Sequence, residues 1–400
     1  MAVLPDAKPC DVLVAGMGPA GATAAFHLSR AGLSVIGLEK QRMPRYKVCG
    51  GGLSARIGRI LEPDFSAVVE HTVCDVRFAY EGQKSFLIQS SSPIAFMVMR
   101  DRFDRLLAEE ARRAGTDVHE GEGAVEFRPV EDGVEVLTES GRYRAKVLIG
   151  ADGASSLVAR RLFPERRLPC MAGLESEIGI GQAPLYPADG TVLIDVGAAT
   201  QGYGWIFPKQ ERLSVGVAEL GGAAGSPKGE FDRFVRGERR LRGLTVPAPH
   251  GHPLPLYPAD DAAGARSLVH GQALLVGDAG HLVDPLFGEG IYYAVRSGQL
   301  AAASVLKTFR DRGKTLHEYE RAVERELYPE FRVASRLAGL LYTMPRLCYE
   351  VMSRYQEILS LYCQVLQGKE TYQTFFGKGK RTLAMPFKEL LNAVSRAKSR

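Results

Sequence analysis

The chain has 400 residues, 24% of them charged and 45% hydrophobic, with a formal net charge of +5 at pH 7. That length supports a large core in two or three layers, and no apolar run reaches the ~20 residues of a membrane-spanning helix. The basic excess lies between Gly377 and Arg400, where seven Lys and Arg face Glu389 alone, so the charge does not describe a nucleic-acid-binding face.

The stretch Met1–Cys10 is short and polar without a signal-peptide core. Cys10, Cys49, Cys74, Cys170, Cys348 and Cys363 lack metal-ligand spacing. A cytoplasmic setting without disulfides or a metal site is expected. A strand begins at once: Asp11–Ala15 runs into Gly16-Met17-Gly18-Pro19-Ala20-Gly21, a G-x-G-x-x-G turn. A helix of small and apolar residues follows from Ala22 to Leu33, ending near Gly32. A second strand, Ser34–Leu38, ends on Glu39, 23 residues after Gly16. This is a βαβ unit that binds a dinucleotide. Gly16 permits the turn, Gly18 lets a pyrophosphate approach the main chain, and Gly21 lets helix and strand pack. The helix N-terminus offers free N–H groups, and Glu39 accepts from a ribose.

Behind Cys49 stand Gly50, Gly51 and Gly52, which fit a flexible loop or one laid closely against a ligand. Ser54–Leu61 reads as a short helix, residues 72–99 as alternating strands, and Asp101–Ala114 as an amphipathic helix. A strand and small meander lead to Val147–Gly153, a buried strand into a glycine turn. Residues 173–217 are strand-rich. They include Tyr203-Gly204-Trp205-Ile206-Phe207-Pro208, which puts three aromatic rings on one sheet face, and Leu213–Val217, its hairpin partner. Periodicity alone leaves open whether that face is core or a cavity wall. Phe231–Leu241 reads as helix, and His250–Pro258 is too proline-rich for a central strand. Ala273–Gly280 is another buried strand and turn, followed by Gly288-Glu289-Gly290 and a helix from Ile291 to Arg312. Two long helices, His317–Leu341 and Pro345–Gln367, complete the C-terminal third. They carry Tyr342, Met344, Tyr349, Met352, Tyr355 and Tyr362, which suit a greasy path or an ordinary core. In the tail, Phe387, Leu390, Leu391 and Val394 recur at helical spacing among basic residues, a pattern that suits an anionic membrane surface or docking on the protein's own body. No second strand–G-x-G-x-x-G–helix unit is present.

Four separated segments together resemble the FAD-dependent group similar to para-hydroxybenzoate hydroxylase. These are Gly16–Gly21 with Glu39, Arg100 before Asp101-Arg102-Phe103-Asp104, Gly150–Gly153, and Gly277-Asp278-Ala279 with Gly288–Gly290. Two more, Lys47-Val48-Cys49-Gly50-Gly51-Gly52-Leu53 and Tyr203-x-Trp205-x-Phe207-Pro208, resemble the geranylgeranyl reductase family. The resemblance implies FAD held by Gly16, Gly18, Pro19, Ala20, Gly21, Glu39, Lys40, Cys49, Gly50, Arg100, Asp278, Gly288, Gly290 and Ile291. In it Asp278 meets the ribityl chain, Arg100 the adenosine or pyrophosphate side, and Gly288–Ile291 the flavin pyrimidine edge. Tyr203, Trp205, Phe207 and Pro208 line an apolar pocket for an isoprenoid chain, and Cys49 donates a proton or gates the site.

The implied fold is α/β: a Rossmann-like FAD-binding domain (1–71, 100–170, 266–314) with an inserted antiparallel-sheet substrate domain (72–99, 171–265). C-terminal helices (315–376) and a basic tail (377–400) follow. The implied activity is FAD-dependent reduction of carbon–carbon double bonds in a polyprenyl chain of a lipid, quinone or pigment precursor. NADPH, ferredoxin or a quinol is the electron donor, and the enzyme is cytoplasmic or peripheral on a membrane. Arg45, Lys47 or the tail would meet a diphosphate. A flavin-dependent aromatic monooxygenase is the alternative, and a lipid-binding protein with structural FAD is a second one.

Overall fold

The computed structural model describes residues 7–181, 190–220, 226–258, 266–311 and 315–382. Among them, the first layer is an eight-stranded sheet. Its central strand, Lys8–Ala15, lies parallel to Val35–Glu39 on one side and Arg142–Gly150 on the other. Asp117–Glu120 and Ala273–Leu275 extend the parallel order. Val12, Leu13 and Val14 are completely buried, the continuous apolar run of a strand covered on both faces. The helix Pro19–Arg30 begins at Pro19, three residues earlier than the sequence suggests. A proline is tolerated in the first turn because that N–H has no helical acceptor.

The second layer is a seven-stranded sheet among the described residues, ordered His250–Pro255, Cys170–Gly179, Arg212–Leu220, Gly202–Pro208, Val192–Val196, Asp75–Tyr80, Lys84–Gln89. Its pairs are antiparallel except Val192–Val196 beside Asp75–Tyr80. His250–Pro255 does form a strand, but at the sheet edge, where Pro253 and Pro255 leave no central ladder position without a donor. The strands of residues 72–99 divide. Asp75–Tyr80 and Lys84–Gln89 join this sheet, whereas Ala95–Val98 pairs with Gly52–Ser54 and Val69–Val73 in a small third sheet.

The helical C-terminal third differs from its sequence reading in three places. The expected helix His317–Leu341 is two helices, His317–Glu326 and Tyr328–Thr343. Pro329, in the first turn of the second, has no N–H with which to continue the first. The expected helix Pro345–Gln367 is likewise two, Pro345–Arg354 and Glu357–Leu366, and Tyr372–Thr382 forms a further helix that the sequence reading left out. These helices pack on the seven-stranded sheet, where Phe78 stacks on Tyr349 with ring centres 6.3 Å apart. The tail pattern at Phe387, Leu390, Leu391 and Val394 lies outside the described residues. No helix among the described residues is long and apolar enough to cross a membrane. The expected α/β architecture, with an antiparallel sheet and C-terminal helices beside a Rossmann-like layer, is what the chain adopts.

Candidate functional site

A cavity of about 810 Å³ is lined by residues from both large sheets and from the C-terminal helices. At one end are Gly16, Gly18, Pro19 and Ala20, at the start of the first helix. Gly16 takes a φ of +99°, which favours glycine. At Gly18 the only atom within 4 Å of an added Cβ is an Arg45 guanidinium nitrogen, so the main chain there is bare toward the cavity. Gly21 does not line the cavity. Its added Cβ would stand 1.9 Å from the Gly16 carbonyl oxygen, which makes it a packing position. Glu39 and Lys40 line the same end. Glu39 is buried and accepts from the Met17 and Gln41 N–H groups, each at 3.2 Å. Arg45 bridges Glu39, at 3.3 Å, to the fully buried Asp104, at 3.0 Å. Two carboxylates therefore occupy it, which leaves it a poor partner for a diphosphate.

Asp278, Gly288, Gly290 and Ile291 line another part of the wall, at the N-terminus of the helix Ile291–Arg310. Neither this helix nor Pro19–Arg30 has a side-chain cap, so both offer first-turn N–H groups to an anion or a carbonyl. Asp152 lines the cavity too, but its carboxylate accepts from the Leu157 and Val158 N–H groups at 2.6 and 3.2 Å, a structural cap on a short helix.

Cys49 and Gly50 line the middle. The Gly51 N–H donates to Cys49 Sγ at 3.4 Å. Arg100, which the sequence reading sends toward the adenosine or pyrophosphate, here donates to Asp104 through Nε and Nη2, both at 2.9 Å, and its charge acts on the Cys49 sulfur. The glycine triad is shaped by protein rather than by open space. An added Cβ at Gly50 would stand 2.9 Å from the Phe207 ring, and one at Gly51 would stand 2.1 Å from the Val98 carbonyl oxygen. Lys47 Nζ meets the His252 ring. Burial pushes the Lys47 ammonium down to about 8; burial and then the Lys47 charge hold His252 down at about 4, so the imidazole is neutral at pH 7.

Tyr203, Trp205 and Phe207 form the apolar wall; Pro208 is buried and paired with Leu213 away from it. Tyr203 donates to the Phe287 carbonyl at 2.6 Å, and Trp205 Nε1–H donates to Ser214 Oγ at 3.3 Å. Leu359, Tyr362 and Leu366 face the cavity from the helix Glu357–Leu366. Of the aromatic and Met residues proposed for a greasy path, Tyr362 reaches this cavity, and Met352 lines a smaller apolar cavity of about 100 Å³. Tyr342 is buried, with its hydroxyl on the Leu286 carbonyl. The sequence reading did not single out Glu175 or His252, which also line the main cavity.

An FAD binding domain family matches residues 9–168. The chain is 31% identical over 316 residues to a geranylgeranyl diphosphate reductase of Rhodobacter capsulatus, covering 74% of this chain and 75% of that one. It is 28% identical over 330 residues to a digeranylgeranylglycerophospholipid reductase of Methanosarcina acetivorans, covering 79% of each. A geranylgeranyl bacteriochlorophyll reductase-like protein of Thermoplasma acidophilum shares the fold at a TM-score of 0.76 and 22% identity, over 96% of this chain and 99% of that one. The bare main chain at Gly18, the two uncapped helix ends and the acid at Glu39 fit FAD. The chain belongs to the geranylgeranyl reductase family of FAD-dependent oxidoreductases.

Proposed function

We propose that this enzyme saturates carbon–carbon double bonds in a polyprenyl chain lying along Tyr203, Trp205 and Phe207. The observation that carries the reading is the single cavity shared by the dinucleotide turn, Cys49 and this aromatic wall. FAD bound there supplies a hydride. In this reading Gly16–Ala20 and Glu39 hold the adenosine and pyrophosphate part, Asp278 the ribityl chain, and Gly288–Ile291 the pyrimidine edge. Residues 1–71, 100–170 and 266–314 form the cofactor domain, and 72–99 with 171–265 the substrate domain.

An isolated alkene has no carbonyl to spread charge, so a positioned acid must protonate one carbon. Cys49 is that acid, and Arg100 steadies the thiolate it leaves. The chain-bearing molecule is a lipid, quinone or pigment precursor, drawn from a membrane surface, and NADPH, ferredoxin or a quinol delivers electrons. The test is anaerobic incubation of the reduced holoenzyme with geranylgeranyl diphosphate and with a digeranylgeranyl lipid, followed by mass spectrometry. Products carrying two extra hydrogens per bond support the reading. Unchanged chains, or an oxygenated product formed only in air, overturn it.

A further inference from the structure

A buried polar cluster lies beside the glycine triad, where an added Cβ at Gly51 would stand 3.3 Å from Lys209 Nζ. Glu175 and Glu177 lie two residues apart on the strand Cys170–Gly179, so both side chains share a face. Glu175 is 1% exposed and lines the cavity. One carboxylate oxygen, Oε1, accepts from Ser214 Oγ at 3.1 Å, and Oε2 accepts from Tyr46 Oη at 2.8 Å. Tyr46, by contrast, is 49% exposed. A hydrogen-bonded line thus runs from solvent to a buried acid inside an apolar chamber.

The two acids are close enough to hydrogen-bond each other. Lys209 binds Glu177 Oε1 at 2.5 Å, and Glu177 Oε2 is buried without a hydrogen-bond partner among the described residues. A proton between the carboxyls satisfies that oxygen, and two carboxylates with one lysine leave a single negative charge surplus for it to cancel. Burial, and then the Glu177 charge, raise Glu175 well above the usual carboxylate range. The groups that face it are Tyr46 from the loop, Glu177 on its own strand, Lys209 and Ser214 from the neighbouring hairpin, and His250, paired with it on the edge strand, whose ring lies 5.3 Å from that of Tyr46.

We propose that Tyr46, Glu175 and Glu177 form the proton inlet of the cavity, storing on the acid pair the proton that each reduced double bond consumes. This rests on the prenyl-reduction reading. In the loading step the Tyr46 O–H proton passes to the Glu175 carboxylate while the phenol oxygen takes a proton from water, leaving hydroxide in the solvent. In the delivery step the Glu175 O–H breaks, its proton passes to water in the cavity that both residues line, and that water gives a proton to the Cys49 thiolate.

Two measurements on the FAD-loaded protein test it. Infrared titration of the oxidised enzyme reads the acid pair without any prenyl substrate. A protonated-carboxyl component persisting to neutral pH, separate from that of the buried Asp284 and lost in Glu175→Gln, is expected; a wild-type spectrum that Glu175→Gln leaves unchanged overturns the inlet and leaves prenyl reduction untouched. Single-turnover oxidation of the reduced enzyme by a prenyl substrate reads the role. Glu175→Gln should keep FAD but turn over roughly tenfold or more slowly, with an altered pH profile, and Tyr46→Phe should slow in the same direction. Wild-type rates and pH profiles in both variants overturn the inlet. A wild type that no prenyl chain oxidises overturns the prenyl reading itself, and the inlet role with it, whatever the infrared band shows.

Discussion

Tyr372 donates its phenolic hydrogen to Asp284 at 2.5 Å, joining the helix Tyr372–Thr382 to the loop that precedes Gly288–Gly290. The same phenol lies 3.3 Å from the Tyr362 hydroxyl, on the helix that faces the cavity. Asp284 is fully buried, and Leu286 N–H donates to its other oxygen at 2.6 Å. One carboxylate therefore fixes the cavity's C-terminal wall against the wall that carries Gly288–Ile291.

Stability should register that burial. Burial pushes Asp284 up to about 6 in the folded protein, above the ordinary carboxylate value. A raised acid makes the folded state hold its proton longer than the unfolded state. Its contribution therefore declines as pH rises from about 4 through 6 and is lost above that, a span on the order of 3 kcal/mol. Asp284→Asn removes the ionisation, and Tyr372 can turn its hydroxyl to Tyr362. The variant should match the wild type near pH 4 and gain relative stability toward pH 7. Denaturant melts across that range check it; parallel curves would remove Asp284 from the account.

Arg100 and Asp104 give a second prediction. Asp104 is completely buried between Arg100 and Arg45, so Arg100→Met strands much of a buried charge and should cost about 3 kcal/mol. Adding Asp104→Asn should restore most of that stability. If Arg100 serves Cys49 as well, the double variant folds and binds FAD but still reduces prenyl chains slowly. Melts and single-turnover rates on the same samples separate the two effects.

The contrast between local and distant pairs explains what the sequence disclosed. The βαβ unit closing on Glu39 was readable because strand, turn, helix and acid follow one another within a few dozen residues, each with its own local signal. The aromatic alternation of Tyr203–Phe207 placed three rings on one face, but its place on the cavity depended on strands and helices elsewhere in the chain. Glu175 meets Tyr46 across 129 residues, Lys47 meets His252 across 205, and Tyr372 meets Asp284 across 88. No periodicity marks such pairs. Pro329 is the local signal of the break before the helix Tyr328–Thr343, because a proline there cannot continue the preceding helix.

Cys49 provides a third test. Cys49→Ala removes the sulfur to which the Gly51 N–H donates while leaving the glycine triad intact. FAD content and reduction by dithionite should be unchanged, and oxidation of the reduced enzyme by a prenyl substrate should slow on the order of a hundredfold, the usual scale for a lost general acid. Wild-type oxidation in Cys49→Ala takes Cys49 out of the reaction. Asp278→Ala should do the reverse, losing flavin on purification, which the absorbance ratio of flavin to protein reports.

Gly216 pairs with Trp205 across the aromatic strand. Trp205 lies across this residue on the neighbouring strand, and an added Cβ would stand 2.1 Å from a ring carbon of the indole and 2.5 Å from the Leu174 carbonyl oxygen. Gly216→Ala must therefore push the ring toward the cavity and strain its bond to Ser214, at an overpacking cost of about 1–3 kcal/mol. The dinucleotide turn is on the other sheet, so FAD should remain bound while the space for a hydrocarbon chain narrows. Trp205 is the only tryptophan in the chain, so its fluorescence reports this wall without interference. A shifted emission with retained flavin and a raised KM for prenyl substrate is expected. An unshifted spectrum with normal kinetics would mean that the ring is not seated over Gly216, and would count against a prenyl chain lying along the aromatic wall.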